Sequence, residues 1–205
     1  MTSKLNAEQL VARAGEIIKN ESRGLEALQA QIGPSILPVV DLLLNRKGKV
    51  LTTGAGTSRT VAERFAHLLS CCGIPALFIH SADALHGGAG AIQPGDVVYI
   101  ISKGGQSTEI NQFAEIAIKR GAKVIAHTEK PGSTLGKLAD AIFHVVAPEG
   151  VDPFVMIATG SSLTNSAACD VLCVLLLEAS GYTKADFGQT HPGGAVGKKL
   201  AGENH

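Results

Sequence analysis

Along residues 3–32, Leu10, Ala14, Ile17, Leu25, Leu28 and Ile32 recur near helical spacing with charged residues between them, which is the mark of an amphipathic helix with one apolar stripe. Gly33-Pro34 interrupts this pattern, and a second helix is predicted through Val40, Leu43 and Leu44 until Arg46-Lys47-Gly48 closes it. Two helices thus precede any strand; the first is expected to pack against another subunit rather than across its own domain. From Lys49 the pattern changes to short apolar, β-branched runs alternating with helical periods. Strands are predicted over 49–53, 76–80, 96–101, 123–127 and 141–146, and helices over 60–72, 82–85, 133–138 and from Ile110 onward. The segment 161–180 is apolar nearly all round and stopped by Gly181, so burial in the domain or in an oligomer is expected. Thr183, with Asp186 three residues on, opens one more helical turn, and the chain closes with the turn His191-Pro192-Gly193-Gly194 and a short helix. Five strands alternating with helices predict an α/β, three-layer, doubly wound fold. Its sheet would be mostly parallel with right-handed crossovers, and ligands would sit at the strand C-terminal ends.

Two loops fall at those ends. In Ser102-Lys103-Gly104-Gly105-Gln106-Ser107-Thr108-Glu109 a buried strand passes through small residues into a helix, which aims unpaired N–H groups and the positive end of the helix dipole at one place. Hydroxyls from Ser102, Ser107 and Thr108 add donors, so a phosphate fits better than a cation. The same residues would also serve as plain helix caps and turn glycines, and the loop alone does not choose. Gly54-Ala55-Gly56-Thr57-Ser58 repeats the arrangement. It fails as a dinucleotide fingerprint, because Arg59 holds the third glycine position and no acid ends the next strand. Nor does it carry the lysine of a nucleotide P-loop. Two hydroxyl-rich loops at adjacent strand ends suit one small phosphorylated molecule between them.

Composition narrows the classes further. The 205 residues suffice for one α/β domain, with no low-complexity linker to suggest two. Eighteen basic and 18 acidic residues cancel, no block of like charge appears and only eight residues are aromatic, so nucleic-acid binding has little support. The longest unbroken apolar run is Val171 to Leu177, short of the roughly 20 residues of a membrane span, and the N-terminus shows no signal-peptide core. A cytoplasmic protein without membrane association is expected. Cys71 and Cys72 are adjacent and Cys169 and Cys173 lie one turn apart; neither spacing is a zinc or redox motif, so buried thiols in a reducing compartment are expected, with no metal and no cofactor.

Taken in order, Gly54-Ala55-Gly56-Thr57-Ser58, His86-Gly87, Ser102 to Glu109, Thr159-Gly160-Ser161-Ser162 and His191-Pro192-Gly193-Gly194-Ala195-Val196-Gly197 resemble the sugar isomerase (SIS) domain, and within it the arabinose-5-phosphate isomerase branch. The resemblance covers roughly 49–200. It implies a flavodoxin-like five-stranded parallel sheet between helices, a single domain over 1–205 with a helical arm (1–47) and a phosphosugar-binding core (48–200), and a homo-oligomer, commonly a tetramer. By position it implies phosphate binding by Ser58, Ser102, Ser107 and Thr108 and a histidine of the same site at His86; Gly56, Thr57, Lys103 and Gly104 in the same two loops are candidate phosphate or substrate contacts of this chain's own. It implies catalysis by Glu109 and by His191, the latter supplied in some members by a neighbouring subunit. The chain departs from the branch at Thr57, where a lysine is usual, at Arg59, where a glycine is usual, and at Lys103-Gly104 within the phosphate loop. A second catalytic glutamate falls at Gly150, leaving Glu149, one residue away, as the candidate. The paired CBS regulatory modules that often follow the isomerase domain in the branch are not expected within these 205 residues.

Aldose–ketose isomerisation needs a base that moves a proton between C1 and C2, a donor for the enediolate oxygen and help in opening the sugar ring. Glu109 is the candidate base. The helix dipole would favour its ionised form while a buried site would oppose it. His191, before a rigid Pro-Gly-Gly turn, is the ring-opening or proton-transfer candidate, and Lys103 is the candidate for the positive charge that Thr57 lacks. The rival reading from another class is a phosphosugar-binding or sensing module without turnover.

Overall fold

The computed structural model describes residues 5–149 and 154–203. Helix α1 (Ala7–Gln31) begins with a reciprocal cap between Asn6 and Gln9. A single 3₁₀ turn at Pro34–Ile36 then re-aims the chain into α2 (Leu37–Leu44). The alternating units follow: β1 (Val50–Gly54), α3 (Thr57–Cys71), β2 (Ala76–Phe78), α4 (Ser81–Leu85), β3 (Val97–Ile101), α5 (Thr108–Lys119), β4 (Lys123–Thr128), α6 (Thr134–Leu138) and β5 (Ala141–His144). The long α7 (Thr159–Ser180), α8 (Lys184–Thr190) and α9 (Gly194–Glu203) complete the order. All strand pairs are parallel, in the spatial order β2-β1-β3-β4-β5. The chain therefore reverses direction across the sheet between β1 and β3, which opens a crevice at their C-terminal ends.

The pleat sorts the core into two layers. On β3, Val97, Tyr99 and Ile101 face one apolar cluster with α2, α3 and α7, while Val98 and Ile100 face another with α4 and α5. All five are buried, as a strand covered on both faces requires. The start of the sheet is tied by Asp96, whose side chain is 2% exposed. Its carboxylate accepts from the backbone N–H of Lys49 at 2.9 Å, the N–H of Gln93 at 2.8 Å and the Lys49 ammonium at 2.7 Å. Burial alone would raise its pKa, but the Lys49 side chain and the two backbone donors hold it below the usual aspartate range.

Several boundaries differ from the sequence expectation. Helix α3 starts at Thr57 rather than at residue 60, leaving two residues between it and β1. Gly56 makes this possible with φ of 55°, and a Cβ on Gly54 would lie 2.8 Å from the Ser58 carbonyl carbon. Strand β2 stops at Phe78 and β5 at His144, short of the expected 80 and 146. Helix α7 begins at Thr159 and is not buried all round: Leu172 and Leu176 are sealed in the core, but Val174 is 54% exposed and Leu163 40%. It is long and apolar enough to cross a membrane, with 44% of its most apolar stretch buried. It packs on α1, α2 and α3, the place of a core helix. Helix α1 buries only Gly24 and Leu28 and leaves Leu10, Val11 and Ile18 exposed. Cys72, Cys169 and Cys173 are buried and Cys71 is half-buried, all free thiols.

Candidate active site

Three helices, α3, α5 and α7, begin at the C-terminal edge of the sheet or beside it, and in none does a side chain cap the first turn. By contrast Asn6, Ser133 and Thr183 cap α1, α6 and α8. Ser107 is the telling case. It occupies the cap position of α5 with extended backbone, yet its hydroxyl accepts no N–H of that helix. The plain-capping reading of this loop therefore fails for Ser107, and the first-turn N–H groups remain available to a ligand. The loop between β3 and α5 is stiffened from within instead. Gly105 donates its N–H to Ser102 Oγ at 3.2 Å, and its carbonyl accepts from Leu135 at 3.1 Å and from Asn111 Nδ2 at 3.4 Å. Gly105 has φ of 61°, and a Cβ there would collide with the Ser133 side chain.

A cleft of about 140 Å³ opens where two of these helix starts meet the loop. Thr57, Ser58 and Val61 of α3 form one wall, Ala158, Ser161, Ser162 and Asn165 at the start of α7 the other, and Lys103 the rim. The Lys103 side chain is 57% exposed and stands 3.7 Å from Glu129, a loose pair that leaves its charge free to meet an anion. Helix N-termini, hydroxyls and one ammonium side by side are the kind of donor set that an oxyanion requires.

The SIS domain model matches residues 42–184. The chain belongs to the SIS domain family. It is 34% identical over 180 residues to the arabinose 5-phosphate isomerase KdsD of Pseudomonas aeruginosa, a match that covers 88% of this chain and 55% of that relative. The chain thus spans little more than half the relative's length. A candidate sugar-phosphate isomerase from Listeria monocytogenes superposes with a TM-score of 0.89 at 30% identity, over 93% of this chain and 100% of its own. An Escherichia coli CFT073 protein solved in complex with arabinose 5-phosphate superposes with a TM-score of 0.86 at 27% identity, over 92% and 100%.

On this SIS frame the candidate residues, Gly104 apart, divide into three groups. Thr57, Ser58 and Lys103 line the cleft together. Gly56, Ser102, Ser107 and Thr108 belong to the two loops that frame it: Ser102 is buried and turned inward onto Gly105, Ser107 is half-buried and Thr108 exposed. Gly104 lines a separate surface hollow with Gln106, Glu129 and Lys130. The third group lies outside the cleft lining of its own chain. Glu109 is half-buried in the first turn of α5. His86 is exposed at the end of α4, and Glu149 is exposed after β5, while Gly150 falls outside the described residues. His191 ends α8, where its ring stacks on Phe187 at 3.7 Å and its Nδ1 lies 3.0 Å from Thr190 Oγ1 and 3.1 Å from the Phe187 carbonyl. Among the described residues no group of three His, Cys, Asp or Glu side chains converges to hold a metal.

Ser161, Ser162 and Asn165 are lining residues that the sequence reading did not single out as site residues. The signal for the two serines was the run Thr159-Gly160-Ser161-Ser162, a cluster of hydroxyls opening a helix; Asn165, one turn on, carried none. Behind Asn165 lies a buried polar chain. His127 on β4, 1% exposed, has Nδ1 at 2.9 Å from the Tyr99 hydroxyl and Nε2 at 3.0 Å from Asn165 Oδ1. Burial pushes the imidazole down to about 4, the Asn165 hydrogen bond opposing it only in part. It is neutral at physiological pH.

Proposed function

We propose that this SIS chain is a sugar-phosphate aldose–ketose isomerase, with arabinose 5-phosphate its first candidate substrate. The observation that carries the reading is the cleft between the uncapped starts of α3 and α7, rimmed by Lys103. The phosphate sits against the N–H groups and hydroxyls of Thr57, Ser58, Ser107 and Thr108 with Lys103 as counter-charge. Glu109 takes the proton from C2 of the open-chain aldose, giving a cis-enediolate, and returns it to C1 to give the ketose. His191 of another copy serves ring opening or proton transfer, with Glu149 a second acid/base. His191 is stacked on Phe187 in its own chain, so the reading requires an assembly. We take this to be a homotetramer in the cytoplasm, consistent with the exposed apolar residues of α1 and α7. Light scattering that returned a monomer would remove His191 from the mechanism.

The test is incubation with pentose 5-phosphates and hexose 6-phosphates in deuterium oxide, followed by NMR. Aldose–ketose conversion with deuterium entering C1 or C2 is expected, and Glu109→Gln is expected to abolish it while retaining binding. Binding without conversion or exchange in the parent chain would overturn the isomerase reading in favour of a sensor.

A further inference from the structure

Asn165, 9% exposed, lies one helical turn beyond Ser161 and Ser162 and shares their face of α7 at the cleft wall. Its carbonyl oxygen Oδ1 is engaged by His127 Nε2 at 3.0 Å. The other ring nitrogen faces the Tyr99 hydroxyl at 2.9 Å. The ring is held edge-on between Tyr99, 5.9 Å away at 87°, and Phe143, 5.2 Å away at 62°. A neutral imidazole carries one N–H, so an oxygen at Nε2 fixes the proton there, and Nδ1 must then accept from the Tyr99 hydroxyl. The chain of donors therefore runs in one direction, from Tyr99 to His127 to Asn165.

The consequence lies at the open end. With Oδ1 occupied, the Asn165 amide turns its two N–H donors away from His127, and among the described residues they meet no acceptor. Nor is Nδ2 one of the buried polar atoms left without a partner, which are confined to Arg46, Thr53 and Asn111; it is open to the cleft. The phosphate needs no such group, since helix starts, hydroxyls and Lys103 already supply donors and charge. A fixed neutral donor pair beside a phosphate site suits the hydroxyl or carbonyl oxygens of the rest of the sugar. We propose that Asn165 is a substrate-contacting specificity residue that donates to a sugar oxygen, and that His127 and Tyr99 are positioning residues that lock its amide in the donating orientation. The proposal rests on the phosphosugar reading of the cleft and adds which part of the ligand the α7 wall recognises.

The test compares arabinose 5-phosphate with inorganic phosphate as titrants against the full chain. For Asn165→Ala and Asn165→Asp the sugar phosphate is expected to bind about tenfold more weakly, the order of one lost hydrogen bond in a closed site. Inorganic phosphate should change less than twofold for Asn165→Ala. His127→Phe should lose a similar factor for the sugar phosphate, and His127→Gln, which restores an amide donor to Oδ1, should recover part of it. In the parent, the ¹⁵N spectrum of His127 should show the Nε2–H tautomer. Equal affinity for sugar phosphate in the parent and both Asn165 variants overturns the proposal and leaves the isomerase reading standing. Equal losses for both titrants in Asn165→Ala also overturn it, placing Asn165 at the phosphate. A parent that binds inorganic phosphate but no sugar phosphate overturns both readings, and an Nδ1–H tautomer overturns the positioning role.

Discussion

Acidification between pH 7 and pH 5 should destabilise the fold through His127. Its imidazole is 1% exposed between Tyr99, Phe143 and Asn165, and Cys169, which burial keeps protonated, lies beyond the Tyr99 hydroxyl. No carboxylate among the described residues pairs with the ring. In the unfolded chain it titrates near 6.5, in the fold at about 4. Between those values the unfolded state binds a proton that the folded state refuses, so stability falls as pH falls through this window and is regained as pH rises. At about 1.4 kcal/mol per pH unit the full interval corresponds to about 3 kcal/mol, of which about 2 kcal/mol is lost between pH 7 and pH 5. The measurement is urea unfolding at those two values, at fixed protomer concentration, for the parent and for His127→Gln. Aspartate and glutamate contributions are common to both proteins and cancel in the comparison. The variant is expected to be less stable at pH 7 but to lose about 2 kcal/mol less on acidification. Parallel pH dependences would refute the reasoning.

Three other perturbations address separate parts of the molecule. Asp96→Ala removes the acceptor of two backbone N–H groups and of the Lys49 ammonium and should cost about 3 kcal/mol of unfolding free energy; a loss below about 1 kcal/mol would mean that water replaces the carboxylate. The parent's share of stability from Asp96 is present above the ordinary aspartate range and lost as pH falls through its depressed folded value. Gly105→Ala forces a Cβ into the left-handed region and against Ser133, which should cost about 2–3 kcal/mol, together with weaker phosphate binding; an unchanged thermal midpoint would show that the loop re-forms. Lys103→Ala should weaken sugar-phosphate binding about fivefold at low salt, with the difference shrinking as salt is added. Unchanged binding by isothermal titration would leave Lys103 as a solvent-facing side chain.

The order and type of the elements were legible because the sequence signals were local. Val97 to Ile101 is an unbroken apolar run as a two-faced strand requires, Thr183 and Asp186 form the expected reciprocal cap, and Gly181 ends α7 in the left-handed conformation. Boundaries slipped where tertiary contact decides. The hydroxyls of Thr57, Ser58 and Thr60 mark a helix start without fixing its first residue, and Gly54 and Gly56 let the chain turn within two residues. The apolar surround of α7 left burial in the domain or in an oligomer both open, and periodicity could not separate the face against α3 from the face left open. The polar chain behind the cleft was beyond sequence reading for a different reason. Tyr99, His127 and Asn165 are 28 and 38 residues apart and meet only through the register of β3 with β4 and the packing of α7 over both. A lone histidine in an apolar strand gives no hint of what it faces.

The site's departures from its family pattern acquire a physical sense from this division of labour. In the proposed function the phosphate is held mainly by backbone N–H groups at two uncapped helix starts, those of α3 and α5. Those donors do not depend on which side chain occupies a position, so Thr57 in place of a lysine removes one charge without dismantling the site. Discrimination among sugars needs side chains, because a hydroxyl pattern is read only by groups of fixed direction. The α7 wall has such groups in Ser161, Ser162 and Asn165, and Asn165 alone of the three has its orientation fixed by buried partners. Changes in the first loop should therefore alter how tightly any phosphorylated sugar is held, whereas changes at Asn165 or His127 should alter which sugar is preferred. An Asn165→Ala variant that weakened all pentose and hexose phosphates by one common factor would break that separation.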